Sequence, residues 1–167
     1  MDHSSSVTWG IAGEVVRRRD RPIALTAATN AAMVAGAALI AWSAAIHLDL
    51  WHSSYRSIPT IGRLFLFQSI AGFVLAAVVA GTRRLVPALA GIAFLASTVA
   101  GLVLSINVGL FGFKDSLGAA FARLALTVEL AGIVVLSAAC LARIVSVRRV
   151  SAGVVTASAP IERQGTK

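Results

Sequence analysis

The residues best suited to chemistry form a short motif at the end of the first apolar stretch. His47, Asp49 and His52 make up the pattern H-x-D-x-x-H. Imidazole and carboxylate groups bind zinc, iron or copper, so the motif suggests a metal site. On a continuing helix, however, the two histidines point in different directions. The nearby Trp42, Trp51 and Tyr55 favour a second interpretation, an aromatic belt at a membrane interface. Apart from this metal, no cofactor is predicted.

A second set of polar residues lies within the apolar stretches or at their ends. The set comprises His47, Arg63, Gln68, Asn107, Arg123 and Glu129. A charge at the centre of a membrane costs about 3 kcal/mol on insertion scales, so these residues are candidate functional groups. Glu129 follows Arg123 by about 9 Å along a helix, which places it well inside the membrane. Its carboxyl group then needs a proton or a partner, and the candidate partners are Arg63, Arg123, Asn107 and His47. The set predicts either a polar, ligand-binding cavity around Glu129 or an interhelical ion pair that fixes the packing.

Several common catalytic arrangements are missing from the sequence. It contains no phosphate-binding loop of the GxxxxGK or GxGxxG form. The single cysteine, Cys140, can form neither an internal disulfide nor a CxxC pair. Hydroxyl, imidazole and carboxylate groups occur together in 49–54, but no nucleophile elbow accompanies them. Enzymatic activity is the less favoured interpretation, and no catalytic residue is predicted.

The elements that must position these residues are apolar. Of the 167 residues, 57% are hydrophobic and 13% are charged, whereas soluble domains have about 45–50% and about 25%. The formal net charge of +8 comes from 15 Lys and Arg against 7 Asp and Glu. In a soluble protein this excess would suggest nucleic-acid binding. Here the basic residues flank apolar stretches, so we predict an integral membrane protein that contacts the lipid bilayer and no nucleic acid.

Four apolar stretches are long enough to cross a membrane as helices. They cover about 23–47, 61–82, 85–111 and 121–143. Backbone polar groups in lipid need internal partners, and the stretches lack the alternation of barrel strands. The predicted fold class is therefore an all-α membrane protein, a four-transmembrane-helix bundle. Its predicted parts are a basic N-terminal segment at 1–22, a transmembrane domain at 23–142 and a basic, largely disordered tail at 143–167.

Basic residues also predict the orientation. Arginines precede the first stretch, separate the second from the third at Arg83 and Arg84, and follow the fourth. Because Lys and Arg are retained on the cytoplasmic side, we expect a multi-pass protein of the bacterial cytoplasmic membrane with both termini in the cytoplasm. The loops at 48–60 and 112–121 then face outward.

The segment before the first stretch allows two interpretations. Residues 7–19 form either an interfacial helix along the inner surface or a plain basic tail. The small-residue triplet Ser43-Ala44-Ala45 imitates a signal-peptidase site. The apolar stretch before it is too long for a signal peptide, so we expect no cleavage there.

Two weaker patterns concern helix packing. Residues 46–74 align with 106–134 through matched Arg-Leu-x-Leu and Ala-Gly pairs. The match suggests two parallel-repeat helical hairpins, although apolar composition alone produces some identities. Small residues also recur at four-residue spacing, and they predict close internal packing or the docking of a partner protein. The stripes are Ala28, Ala32 and Gly36; Gly72, Ala76 and Ala80; and Ser97, Gly101, Ser105 and Gly109.

Both hairpins carry longer motifs. Residues 47–68 read HLDLWHSSYRSIPTIGRLFLFQ, and the second hairpin has GLFGF at 109–113, Asp115 and LTVE at 126–129. These resemble the HLxLW…YRxIPTIGxLFL and GLFGF…LxVE motifs of uncharacterised small four-helix integral membrane proteins of actinobacteria. The resemblance covers about 25–142 and implies the four-helix fold. It implies no catalytic role, but it marks the outer loops and Glu129 as identifying features.

Three functional hypotheses follow from these patterns. The first, which the sequence favours, is a non-enzymatic accessory or scaffold subunit of a cell-envelope complex, because small-residue stripes are abundant. Its partner would be a larger membrane protein or further copies of the chain. The second is a small transporter or lipophilic-ligand binder with an outward-facing polar cavity around Glu129. The third is a metal or redox protein that uses His47, Asp49 and His52.

Overall fold

A computed structural model describes the backbone of residues 5–114, 116, 118 and 121–157, and the side chains of 23–114, 116, 118 and 121–148. Its elements are α1 (Ser5–Leu50), a π-helical turn (Trp51–Tyr55), α2 (Ile61–Thr82), α3 (Leu85–Asn107) and α4 (Ala122–Ala157). In these residues, four helices are long and apolar enough to cross a membrane. The predicted fold class is confirmed for the described chain: it is an all-α four-helix bundle of a multi-pass membrane protein.

The bounds of α2 agree with the predicted 61–82, whereas α3 ends at Asn107 and not at 111. The cause is the backbone that follows. Gly109 and Phe111 have φ angles of 83° and 49°, in the left-handed region that cannot continue an α-helix. The chain closes a tight turn there, in which Leu110 and Phe113 exchange two backbone hydrogen bonds.

Both terminal helices are longer than the predicted membrane spans. Helix α1 already includes the segment at 7–19, and α4 continues to Ala157, into the tail that was predicted to be largely disordered from 143. No proline interrupts α4, since the first one after it is Pro160. The rest of the tail, and Asp115 of the second-hairpin motif, lie outside the described residues.

The four helices form a ring in which each packs against its neighbours in the sequence, and α1 also packs against α4. We call the end with the π-helical turn the Tyr55 end and the opposite end, where α2 joins α3, the Arg83 end. Helix α3 contacts α2 less than it contacts α4. The two hairpins therefore pack unequally, since a parallel repeat would make the α2–α3 contact equivalent to the α1–α4 contact.

Two clusters of buried residues form the core. The cluster at the Arg83 end comprises Met33, Ala37, Ile40, Ala76, Val79, Ala88, Leu95, Leu136, Ala139 and Cys140. The cluster at the Tyr55 end comprises Ile46, Leu50, Tyr55, Ile61, Ala125 and Val128. Small residues permit close packing between helices, as predicted for two of the stripes. Gly36 contacts Leu136, and a Cβ on Gly72 would lie 2.8 Å from the Cβ of Ala44.

Candidate functional site

A cavity of about 340 Å³ lies between α2 and α3 near the Tyr55 end. Helices α1 and α4 form its back wall, because His47 and Glu129 both line it. The polar side chains in its lining are His47, Tyr55, Gln68, Ser97, Thr98, Ser105 and Glu129. The remaining lining is apolar, as is usual in sites for small organic ligands.

The cavity reaches the outer face of the bundle between α2 and α3. Leu64, Phe67 and Ser97 line it and are exposed, Phe67 to 69%. These residues lie on helices that are long and apolar enough to span a membrane, so the opening is on the side of the bundle that lipid would cover. The stripe on α3 accounts for the gap: a Cβ on Gly101 would meet nothing within 4 Å. The prediction of close packing is therefore wrong for Ser97 and Gly101, whose small size leaves room for the cavity.

Glu129 lies at the back of the cavity and is 1% exposed. The hydroxyl of Ser43, which is 0% exposed, donates a hydrogen bond of 2.9 Å to its Oε1 atom. Thr98 on α3 also lies near the carboxyl group, but its hydroxyl donates a hydrogen bond of 2.7 Å to the carbonyl oxygen of Leu95. Among the described residues, the hydroxyl that donates to the carboxyl group is that of Ser43.

His47 lies one helical turn beyond Ser43 and belongs to the same polar group. Its Nδ1 atom is 2.8 Å from the carbonyl oxygen of Ser43. Because a carbonyl can only accept, Nδ1 carries the proton, and Nε2 is the acceptor of the neutral ring. The ring also packs on Phe65, with 5.2 Å between the centroids. These contacts fix the orientation of the imidazole.

Gln68 lines the cavity with a hydrogen-bond donor that the described residues leave unused. Its Nε2 atom is buried and has no hydrogen-bond partner among the described residues. A buried donor without a partner costs about 1–3 kcal/mol. Such a group is retained at this cost where something else supplies the acceptor, as a bound ligand does.

Aromatic rings close the cavity at the Tyr55 end. Tyr55 stacks on Phe65, with centroids 4.5 Å apart and planes 9° apart. Phe113 meets Tyr55 edge-on at 5.5 Å. Tyr55 is buried in these contacts, whereas an interfacial belt, the alternative interpretation of the aromatic residues, would place the ring at the lipid head groups. The rings separate the cavity from the surface at this end.

Three of the six predicted polar residues line this cavity, namely His47, Gln68 and Glu129. Arg63, Asn107 and Arg123 are exposed and do not line it. Both arginines occupy the first turn of their helices, from which a long side chain extends to the membrane surface. The interhelical ion pair suggested for Glu129 is therefore not formed within the described part of the chain.

The structure does not bring the H-x-D-x-x-H motif together. His47 faces the cavity, whereas Asp49 and His52 are exposed. Among the described side chains, no three from His, Cys, Asp and Glu are placed to hold a metal ion. The reason is helical geometry, because residues at this spacing on a helix and a π-helical turn diverge.

Three residues of the site were missed by sequence reasoning. Ser43 was noticed only within a small-residue triplet, and Thr98 and Phe65 were not singled out. Ser43 and His47 are one helical turn apart, a spacing that places both on one face of α1 and is the signal that was available.

Comparisons of the chain with protein-family models, with curated proteins and with solved structures give no match. The geometry of the cavity is therefore the basis for assigning a function.

Proposed function

We propose that this protein binds a lipophilic small molecule with a polar head group in the cavity between α2 and α3. A volume of about 340 Å³ is within the range of about 300–1,000 Å³ of ligand sites. The largely apolar lining suits a hydrocarbon portion. Glu129 and His47 lie at the back and Gln68 lines the same cavity from α2, so the lining offers polar groups that suit a head group.

One observation carries the proposal: the buried Nε2 atom of Gln68 has no hydrogen-bond partner among the described residues, in a cavity that a buried carboxyl group also lines. Both groups would be costly in an empty cavity, because hydrocarbon offers no replacement hydrogen bonds. A ligand with an acceptor oxygen would complete the hydrogen bonding of the amide. The same feature distinguishes this cavity from an ordinary packing defect, which is lined by apolar groups.

We further propose that the ligand arrives from the lipid of the outer leaflet. The distribution of basic residues supports an external Tyr55 end, with both termini in the cytoplasm of a bacterial cell. Ser97, at the mouth of the cavity, lies about 18 Å along α3 from Leu85. In a hydrocarbon core about 30 Å thick, the mouth extends from the middle of the membrane outward.

The small-residue stripes support ligand binding more than they support an accessory subunit. The stripe on α3, the longest of the three, lines the cavity at Ser97, Gly101 and Ser105. In the other two stripes, Gly36 and Gly72 pack against neighbouring helices inside the bundle. The surfaces that suggested a docked partner protein are thus largely occupied by the cavity and the core.

A pair of glycine substitutions tests the proposal. Gly101 lines the cavity, so Gly101→Leu places a side chain into it. Gly81 is exposed, so Gly81→Leu places the same side chain on the surface. A Cβ at either residue meets nothing within 4 Å, so neither substitution causes a clash at the Cβ. Both proteins are extracted in mild non-ionic detergent and examined by native mass spectrometry. We expect a bound small mass on the wild type and on Gly81→Leu, and its loss from Gly101→Leu.

Two results would contradict the proposal. One is a wild-type protein that carries no small molecule, and the other is equal retention of the small mass by both variants. A larger protein that co-purifies in place of a small mass would instead favour the accessory-subunit hypothesis.

A further inference from the structure

The charges that line the cavity are opposite to the charge of the whole chain. The protein has 15 Lys and Arg against 7 Asp and Glu. Among the described residues, no Lys or Arg lines the cavity, and Glu129 is the one acidic residue in its lining. An ionised carboxyl group attracts a positive charge and repels a negative one, most strongly in apolar surroundings, and an ammonium group would supply the counter-ion that the described residues do not.

Aromatic side chains provide a second preference for a cation through the ring faces that remain, since Tyr55 and Phe65 each use one face in their mutual stacking. Tyr55, Phe65, Phe67 and Phe113 all line the cavity. The face of an aromatic ring is the negative part of its quadrupole, and cations are attracted to it within about 6 Å. Quaternary ammonium groups are commonly bound by such rings because they retain little hydration.

We propose that the ligand of this cavity is a cationic amphiphile, with an ammonium group near Glu129 and the aromatic rings and an apolar chain that extends between α2 and α3. An oxygen atom close to the ammonium, as in an amino alcohol, accepts the unused hydrogen bond of Gln68. This inference rests on the proposed function, because it specifies the head group of the same ligand.

Two probes of nearly equal shape, one charged and one neutral, distinguish the effect of the ligand's charge on binding from the effect of its shape. The first is octyl(2-hydroxyethyl)dimethylammonium, and the second is 3,3-dimethylundecan-1-ol, in which a carbon replaces the charged nitrogen. Binding of each is measured on protein immobilised in a non-ionic maltoside detergent. We expect the wild type to bind the ammonium probe at least about tenfold more tightly than the alcohol.

Substitutions then test the residues. Glu129→Gln keeps the shape of the side chain and removes its charge, so we expect it to abolish the preference for the ammonium probe over the alcohol. Phe65→Leu should reduce the same preference without a change of charge. It provides the test of the proposal if the Glu129→Gln protein does not fold. Arg63→Gln is the control, because Arg63 is exposed and outside the cavity.

The outcomes distinguish the two proposals. Equal binding of both probes, unaffected by Glu129→Gln, would overturn the cationic ligand and leave lipophilic binding intact. Failure of both probes to bind would contradict the proposed function itself. A preference for the ammonium that Arg63→Gln weakens as much as Glu129→Gln does would assign the effect to the general field of the protein, and would overturn the role of the cavity.

Discussion

Ser43 on α1 donates a hydrogen bond of 2.9 Å to Glu129 on α4, across 86 residues of sequence. Both side chains are buried, between the apolar cluster at the Arg83 end and the one at the Tyr55 end. Within a membrane no water can replace such a bond. It therefore fixes the register of α1 against α4 and, at the same time, holds the carboxyl group at the back of the cavity.

Removal of this hydroxyl should destabilise the bundle. We expect Ser43→Ala to lower the free energy of unfolding by about 1 kcal/mol, because it leaves a buried carboxyl oxygen without its donor. The measurement is unfolding in mixed anionic and non-ionic micelles. Ser137→Ala on α4 is the matched control, since Ser137 is exposed. Equal effects of the two substitutions would show that the interhelical bond contributes nothing.

Gly62 is held in a position that no larger residue fits. A Cβ there would lie 2.6 Å from the carbonyl oxygen of Tyr55 and 3.0 Å from that of Arg56, both of them backbone atoms that cannot rotate away. We expect Gly62→Ala to destabilise the protein by about 1–3 kcal/mol through overpacking. Gly81→Ala, on the same helix and free of such contacts, should be neutral or stabilise by up to about 1 kcal/mol through helix propensity.

The same unfolding assay compares these two glycine variants. A Gly62→Ala protein as stable as Gly81→Ala would mean that the chain between the π-helical turn and α2 adjusts freely. The aromatic wall that begins at Tyr55 would then be less rigid than its contacts indicate.

The fold followed from the sequence because a membrane leaves few alternatives. An uncharged stretch long enough to cross the bilayer must be helical, and α2 has the predicted bounds. The end of α3 was wrong, because hydropathy does not report the left-handed backbone at Gly109 and Phe111. The extent of α4 was missed for a related reason, since polar composition alone does not end a helix without a breaker.

The site followed from the sequence only in part. Glu129 and Gln68 were predicted because polar groups are rare and costly in apolar helices. Ser43 was not, because a serine on such a helix commonly bonds to its own backbone, as Ser69 does to Phe65. The partners proposed for Glu129 were wrong in the case of Arg63, because spacing along one chain does not show which way a long side chain extends.

The orientation can be tested with single cysteines. Cys140 is buried, and its replacement by Ala gives a background without thiols. Ser57 and Thr82 are exposed, at the Tyr55 end and the Arg83 end respectively. We expect a membrane-impermeant maleimide to label Ser57→Cys on intact cells and Thr82→Cys only after permeabilisation. The reverse pattern would place the Tyr55 end in the cytoplasm and contradict the proposed access from the outer leaflet.

Replacement of Gln68 by Leu should have opposite effects on the stability of the protein and on its binding of the ligand. Its buried Nε2 atom has no partner among the described residues, so in protein stripped of ligand Gln68→Leu should raise the free energy of unfolding by about 1 kcal/mol or more. The same change removes the donor for the head group, and retention of the bound small molecule in native mass spectra should fall.

Asn107→Leu is the control, because Asn107 is exposed and bonds to Val103 of its own helix. It should leave retention of the ligand unchanged. A Gln68→Leu protein that loses stability would show that the amide has a structural partner. One that gains stability and keeps its ligand would show that the donor is not used in binding. Only a gain in stability together with a loss of ligand supports the view that Gln68 is kept at a cost for recognition.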